Sequence, residues 1–146
     1  MIKEQFVHKK SGHNHAKYQI RYHLIFVTKY RRKLISSEIS DLIKRSVTRA
    51  VSMSKNFEIE AMEIDPGYSD HIHFLVKATP AIAPFEIVRL LKQVTTYDIW
   101  HTSEEVTSYM SRYYWKSHHL WTGGYFCSSI GDACTETVRR YIENQG

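Results

Sequence analysis

The residue types and spacing best suited to chemistry are two histidines separated by one apolar residue, His71 and His73. They lie in the segment 70–76 (DHIHFLV), whose β-branched and aromatic residues follow the turn-forming Pro66-Gly67 and favour a β-strand. Side chains alternate along a strand, so the two imidazoles share one face, roughly 7 Å apart at Cα, and Ile72 points to the other. Because imidazole is a common ligand of divalent metals, this strand carries half of a candidate metal site.

The same pattern has an ordinary structural interpretation. The chain contains nine histidines, so a His-apolar-His triplet can arise without any ligand role. Asp70, just before His71, can orient a histidine or stand in the outer shell of a metal, but a lone acidic residue at a strand start is more often a turn residue. His13 and His15 share the spacing, yet the glycine and asparagine beside them oppose a strand, and we assign them no metal.

A second reactive side chain, Tyr141, lies in a predicted helix over 132–145 that begins after Gly131. A single stripe at helical spacing comprises Val138, Tyr141, Ile142 and Gln145. A phenol and a carboxamide on an otherwise apolar stripe indicate that the helix docks beside something polar. On the helix alone, a buried core tyrosine with its hydroxyl hydrogen-bonded is the favoured interpretation of Tyr141.

Four segments, in one order along the chain, resemble the single-tyrosine HUH transposases (TnpA type) of the smallest insertion sequences. The segments are 18–32 (YQIRYHLIFVTKYRR), His71-Ile72-His73, 121–131 (WTGGYFCSSIG) and 141–145 (YIENQ). The resemblance extends over roughly residues 16 to 145. A Tyr-x-x-x-Gln motif that follows a His-x-His strand is far more specific than either piece alone.

This resemblance implies an enzyme that cleaves and rejoins single-stranded DNA at insertion-sequence ends. It implies Tyr141 as the nucleophile, with a 5′-phosphotyrosine intermediate, and a divalent metal, Mg or Mn, held by His71, His73 and Gln145. It also implies hairpin DNA as the substrate and a homodimer in which Tyr141 can serve the partner's metal site. Two alternatives stay open: a non-cleaving module that binds hairpins or single strands, and another HUH nicking enzyme.

Composition is compatible with this interpretation without establishing it. The 146 residues fit one domain, and we divide the chain into a flexible basic segment over 1–16 and a single domain over 17–146. A net charge of +5 suits a polyanionic partner but also many unrelated proteins. Two cysteines, Cys127 and Cys134, lack the spacing of a zinc site and are predicted to be reduced. No signal core or membrane span is evident, so we expect a cytoplasmic protein.

The pattern of elements predicts an α+β, ferredoxin-like (RRM-like) fold: an antiparallel four-stranded sheet with two helices on one face and the C-terminal helix near the other. The predicted strands begin at Tyr18, cover 57–64, include the histidine strand and cover 125–130. The two helices follow Ser36-Ser37 and Pro84, whereas 100–121 is an irregular insert. If Ile72 and its alternate neighbours face the helices, the histidines face the open side of the sheet.

Alternation also predicts which side chains enter the core. The first strand directs Tyr18, Ile20, Tyr22, Leu24 and Phe26 to one face, and the second directs Phe57, Ile59, Ala61 and Glu63 to one face. The first helix is predicted to bury Ile39, Leu42, Ile43, Val47, Ala50 and Val51, and the second Phe85, Val88, Leu91 and Ile99.

A basic cluster over 29–33 (KYRRK) follows the first strand and has a tyrosine in its interior. Cations with an interleaved aromatic can contact phosphates and stack on a base, although a solvated turn explains the cluster equally well. The candidate DNA contacts are Arg21, Lys29, Tyr30, Arg31, Arg32, Lys44, Arg49 and Lys92. The aromatic residues of 100–121 can stack on bases, cover the sheet or form a dimer contact.

Overall fold

A computed structural model describes residues 17–65, 67–131 and 135–144, and within 135–138 it describes the backbone alone. The strands are β1 (Ile20–Val27), β2 (Phe57–Ile64), β3 (His71–Ala78) and β4 (Phe126–Ile130). The helices are α1 (Ser37–Ser52), α2 (Pro84–Trp100), α3 (Glu104–Tyr114) and α4 (Thr135–Glu143), and Lys29–Arg31 forms a short 3-10 turn. The predicted segment 1–16, Cys134 and Gln145 lie outside the described residues.

The four strands form one antiparallel sheet in the order β2-β3-β1-β4. This order, with a helix after β1 and another after β3, confirms the predicted ferredoxin-like α+β fold. The histidine strand β3 is central, with β1 and β2 as its neighbours. Across β1, His73 pairs with Ile25 and His71 with Val27, so both histidines lie within a continuous ladder.

The main hydrophobic core lies between the sheet and helices α1 and α2. As alternation predicts, β1 contributes Leu24 and Phe26, and β3 contributes Phe74, all fully buried. Helix α1 begins where Ser36 accepts a hydrogen bond from the Ile39 amide at 3.2 Å, so the capping prediction is confirmed. The buried apolar side chains of α1 are Ile39, Ile43, Val47 and Ala50, and Leu42 and Val51 pack at its margin.

The predicted alternation of β2 is correct for its first half and wrong for its second. Phe57 and Ile59 pack in the main core, but the register shifts between Ile59 and Ala61. A β-bulge inserts one residue, so every side chain after it turns to the opposite face. Ala61 therefore leaves the helical side, and the main core receives Met62 and Ile64 instead.

The stretch predicted to be irregular contains α3, which the sequence interpretation missed. Ser103 caps this helix by accepting from the Val106 amide at 3.2 Å. Val106, Met110 and Tyr114 recur every four residues and are buried against the main core. In helix α2, Phe85 is exposed and not buried as predicted, because α2 turns the face that carries Ile87, Val88 and Leu91 towards the sheet.

Helix α4 packs on the other face of the sheet, as predicted. Its Ile142 is fully buried in a small second cluster with Ala61 of β2 and Leu75 of β3, and Ile130 packs beside it. A nine-residue helix is marginal in isolation, so its stability depends on this docking. No helix within the described ranges is long and apolar enough to cross a membrane.

We expect Ile142→Ala to loosen α4 while the rest of the domain stays folded, because the second cluster is small and separate from the main core. Ile43→Ala, the matched truncation in α1, should lower the global free energy of unfolding by about 3 kcal/mol. Hydrogen exchange should accelerate in α4 with Ile142→Ala and across the sheet with Ile43→Ala. Equal losses of global stability from both variants would contradict this separation.

Candidate active site

His71 and His73 occupy the face of the sheet on which α4 docks. Their ring centroids are 5.1 Å apart with an interplanar angle of 72°, so the two imidazoles are close neighbours. His73 is 5% exposed, whereas the His71 side chain is 17% exposed. The alternation of β3 thus places two imidazoles side by side on one face of the sheet, largely shielded from solvent.

Asp70 holds His71 in position. Its Oδ1 lies 2.8 Å from Nδ1 of His71, and its Oδ2 accepts a hydrogen bond from Nε of Arg31 at 3.2 Å. Burial opposes charge on Asp70, but the hydrogen bonds from His71 and Arg31 together keep the carboxyl pKa below its usual value. A carboxylate can only accept, so His71 donates from Nδ1, and in the neutral ring the lone pair then lies on Nε2. The turn interpretation of Asp70 is therefore incomplete: the residue orients a histidine.

The sequence interpretation missed His23, a third imidazole at this place. His23 lies on β1, and its Nε2 is 3.1 Å from Nδ1 of His73. The available signal was register: in an antiparallel pair, His23 lies diagonally across from His73 on the same face. The pairing of β1 with β3 could not be read from either strand alone.

The pKa values of His73 and His23 favour the neutral form. Burial, followed by repulsion from His23 and His71, lowers the pKa of His73 from 6.5 to about 4. Burial alone lowers the pKa of His23. A neutral imidazole is the form that binds a metal, so His73 is in the ligand state at pH 7 without having to lose a proton.

Tyr141 lies beside this cluster and is not a buried core aromatic. Its side chain is 54% exposed, and its ring centroid is 6.0 Å from that of His73 at an angle of 84°. Ile142, the next residue, is fully buried and anchors the helix. Consequently α4 presents a solvent-accessible phenol to the histidines of its own chain.

The side chains present fit a divalent cation in part. His71 and His73 supply two imidazole nitrogens that can bind a divalent cation. Nδ1 of His71 lies within hydrogen-bond distance of Asp70, and Nδ1 of His73 within that of His23, so each ring has Nε2 left for a metal. Among the described residues, no group of three or more His, Cys, Asp or Glu side chains could hold a metal. A site built on these two histidines therefore needs a third donor of another kind, and Gln145, the predicted one, lies outside the described residues.

The basic turn, defined here as residues 29–32, lies next to the histidines. Tyr30 is 64% exposed, and it and Arg31 both have positive φ, 61° and 53°, which is unusual for residues other than glycine. Nζ of Lys29 and Cζ of Arg32 lie 5.4 and 5.8 Å from the Tyr30 ring centroid. The turn therefore combines an exposed aromatic face with cations, and Arg31 connects it to Asp70.

Helix α3 forms hydrogen bonds to this turn and to Leu34, just after it. The Tyr114 hydroxyl donates to the Lys29 carbonyl at 2.8 Å, and the Tyr109 hydroxyl donates to the Leu34 carbonyl at 2.6 Å. Thr28 also donates from Oγ1 to the Arg32 carbonyl at 2.8 Å. One role of the insert is thus to support the strained backbone of the basic turn.

The remaining predicted DNA contacts are committed to other partners. Arg21 is 2% exposed and bonds Glu60 at 2.8 Å, and Lys92 donates to the carbonyls of Thr122 and Gly124 at 2.8 and 2.9 Å. Two outer cations also form ion pairs, Lys44 with Glu63 at 3.5 Å and Arg49 with Asp98 at 2.7 Å. We therefore leave Arg21 out of the DNA-contacting set because it is buried, whereas Lys92 is only partly buried and stays a candidate contact.

Comparison with known proteins gives one consistent family. The model of the family described as "Transposase IS200 like" matches residues 16–145. The chain is 28% identical over 136 residues to the ISDra2 transposase TnpA of Deinococcus radiodurans, covering 93% of this chain and 90% of that protein. It is 24% identical over 131 residues to the transposase for insertion sequence element IS200 of Salmonella typhimurium, covering 90% and 80%.

Solved structures agree with this assignment. A crystal structure of a candidate transposase from Deinococcus radiodurans superposes with a TM-score of 0.67 at 26% identity, over 93% of this chain and 97% of that one. A REP-associated tyrosine transposase bound to a REP hairpin shares the fold, with a TM-score of 0.57 at 12% identity over 88% and 67%. From a family match that extends over nearly the whole sequence, we conclude that the chain belongs to the IS200-like transposase family.

Proposed function

We propose that this transposase cleaves and rejoins single-stranded DNA at insertion-sequence ends, with Tyr141 as the nucleophile. The observation that carries the proposal is the exposed phenol of Tyr141 beside the ring of His73, which lies next to His71. A hydroxyl nucleophile next to candidate metal-binding nitrogens is the combination that attack on a phosphodiester needs, and this supports the proposal.

Each side chain has a distinct role in this proposal. His71 and His73 hold a divalent cation, Mg or Mn, and Gln145 supplies the third ligand. When bound, the cation offsets the negative charge of the scissile phosphate and orients it. Asp70 keeps His71 in the tautomer that leaves Nε2 available. Tyr141 projects from the docked helix α4 towards the same place.

The cleavage step conserves the phosphodiester bond energy. Tyr141 Oη loses its proton and attacks phosphorus, a P–O bond to tyrosine forms, and the bond to the 3′-oxygen breaks. The products are a 5′-phosphotyrosine and a strand that ends in a 3′-hydroxyl, whose oxygen takes up a proton. Attack by an incoming 3′-hydroxyl reverses the exchange and releases Tyr141, so no ATP is needed.

DNA recognition is proposed at the basic turn. Lys29, Arg31 and Arg32 supply positive charge for phosphates, and Tyr30 offers an exposed ring on which an unpaired base can stack. The Arg31–Asp70 hydrogen bond places this surface next to His71. The hairpin bound by the REP-associated neighbour supports hairpin-ended DNA as the substrate class.

A homodimer also belongs to the proposal, with Tyr141 able to serve either chain's histidines. In the structure, Tyr141 stands beside His73 of its own chain. Ile142 anchors α4 in the second cluster, and exchange of the helix between copies would transfer this contact to the other copy. The competing proposal, a module that binds DNA without cutting, predicts no covalent product.

The first test is covalent capture. Protein, Mn and single-stranded DNA that carries the ends of its own element should yield an SDS-resistant adduct that retains a 3′-end label and releases a 5′-labelled fragment. Tyr141→Phe should abolish the adduct, and His71→Ala or His73→Ala should reduce it at least 100-fold, since the cation supplies several kcal/mol.

The matched control for capture is Tyr97→Phe, which removes an equally exposed hydroxyl from α2. This variant should form the adduct at the wild-type level. An adduct from Tyr141→Phe would assign the nucleophile elsewhere. Hairpin binding by the wild type without any adduct, in the presence of Mn, would favour the non-cleaving module.

Base stacking on the basic turn gives a second test. Tyr30→Ala should weaken binding of single-stranded DNA about tenfold or more, because a base stacked on an aromatic contributes about 1–3 kcal/mol. Tyr30→Phe keeps the ring and should bind normally. Fluorescence anisotropy at fixed ionic strength measures both, with Tyr97→Ala as the exposed-tyrosine control. Unchanged affinity for Tyr30→Ala would favour the solvated-turn interpretation.

The lowered pKa of His73 gives a third test. In metal-free protein, NMR should show the His73 imidazole titrating near pH 4 and not near its ordinary value of 6.5. Between these values the unfolded chain binds more protons than the native one, so native stability should fall as the pH drops from 6.5 towards 4. Urea unfolding at pH 7 and pH 5 measures this effect. Titration near 6.5 in the folded protein would contradict the buried environment.

A further inference from the structure

His23 lies at the centre of the sheet, where the proposed chemistry has given it no role. It belongs to β1, which is bordered by β3 on one side and β4 on the other. Its Cα partners are Leu75 and Ser128, and its ring points to the face that carries His73. A half-buried imidazole at a central strand position needs a polar partner, and His73 is that partner.

The contact between the two rings has the geometry of a direct hydrogen bond. Nε2 of His23 and Nδ1 of His73 are 3.1 Å apart, the ring centroids are 5.4 Å apart, and the ring planes differ by 20°. The distance between the ring centroids exceeds the distance between the two nitrogens by about twice the radius of an imidazole ring. Both nitrogens therefore lie close to the line that joins the two centroids. Since imidazole N–H groups and lone pairs lie in the ring plane, nearly coplanar rings form a well-aligned bond.

One proton must lie between these two nitrogens, and it can belong to either ring. If His23 donates, Nδ1 of His73 accepts, and a neutral His73 then carries its proton on Nε2. If His73 donates from Nδ1, its Nε2 has a free lone pair. Only the second arrangement lets His73 bind a metal through Nε2, the nitrogen that His23 leaves unoccupied.

We propose that His23 is a positioning residue that accepts a hydrogen bond from Nδ1 of His73 and thereby holds His73 Nε2 ready for a divalent cation. This inference rests on the proposed metal role of the histidine pair. It gives the two ligands equivalent support: Asp70 accepts from Nδ1 of His71, and His23 accepts from Nδ1 of His73. Acceptors on the second nitrogen of a ligating histidine fix its tautomer and its ring orientation.

A direct ligand role fits His23 less well. The nitrogen of His23 that faces the pair is already within hydrogen-bond distance of His73. No cluster of three metal-binding side chains occurs in the part of the chain that the structure describes, although His23, His71 and His73 are all included there. On its other side His23 meets the edge of Phe126, at 5.7 Å between ring centroids, which limits rotation of the imidazole.

Two amide variants separate the hydrogen bond from simple polarity. The carboxamide of Gln reaches about as far as imidazole Nε2, whereas that of Asn ends near the position of Nδ1. We therefore expect His23→Gln to keep Mn affinity within about threefold of wild type. His23→Asn and His23→Leu should lose about 10- to 100-fold, the range typical of lost outer-shell partners. Calorimetry or Mn electron paramagnetic resonance measures this affinity without any DNA.

Three controls make each outcome decisive. Phe126→Leu, which alters the other neighbour of His23, should retain Mn affinity, and circular dichroism should confirm that each variant is folded. The ¹⁵N shifts of His73 with bound Mg should report a protonated Nδ1 in wild type and in His23→Gln. Equal Mn affinity in wild type, His23→Asn and His23→Leu would overturn this inference.

The same experiment distinguishes this failure from failure of the proposed function. If His71→Ala and His73→Ala abolish Mn binding while the His23 variants do not change it, His23 has no positioning role and the metal site stands. If His71→Ala and His73→Ala bind Mn as the wild type does, the metal site itself is wrong and the role of His23 falls with it.

Discussion

Strand β3 must satisfy two different environments at once, and the arrangement of the site depends on this constraint. Its even-numbered residues Ile72, Phe74 and Val76 fill the main core, whereas Leu75 on the odd side packs under Ile142 of α4. The histidines share that odd side. Because β3 has a neighbouring strand on both edges, its backbone is held by two ladders and its side chains have little freedom to move. The paired imidazoles are therefore placed by one of the two central strands of the sheet.

Hydrogen bonds outside the histidine pair connect the site to the rest of the fold. Asp70 bridges His71 and Arg31, so the orientation of a candidate ligand and the position of the basic turn depend on one carboxylate. Tyr114 holds the same turn from α3 through the Lys29 carbonyl. The positive φ values of Tyr30 and Arg31 store strain, and contacts on several sides are what such a backbone requires. The basic turn and the histidine pair are in this way connected through the Asp70 carboxylate.

The face beneath α4 is unusually polar for a buried surface. Glu60, the extra residue of the β2 bulge, bonds Arg21 at 2.8 Å and lies 3.9 Å from Nζ of Lys77. Buried charges of this kind contribute little net stability but are costly to separate, so they favour one register over its alternatives. Because of the bulge, the Glu60 carboxylate of β2 lies close to Arg21 of β1 and Lys77 of β3. Among the described side chains of α4, Ile142 is buried against this face and Tyr141 next to it is exposed.

The local patterns in the sequence were sufficient for the elements whose side chains repeat regularly. The alternation of β1 and β3 and the stripe of α1 identified the sheet, its core face and the histidine pair, because burial on one face selects the residue type at every second or fourth position. The resemblance of four ordered segments to one family was also present in the sequence, and the family match agrees with it.

Tertiary structure decided everything that depends on contact between distant segments. The bulge in β2, the exposure of Phe85 and the helix α3 follow from strand register and packing partners that no local pattern contains. The same holds for His23, which reaches His73 because β1 pairs with β3 in one register, and for Arg21, whose charge is used inside the fold by Glu60. Sequence determines which side chains are available for chemistry, whereas the pairing of strands determines which of them meet. The reason is distance: hydrogen bonds act over about 3 Å, and residues 50 apart along the chain come that close only in the folded sheet.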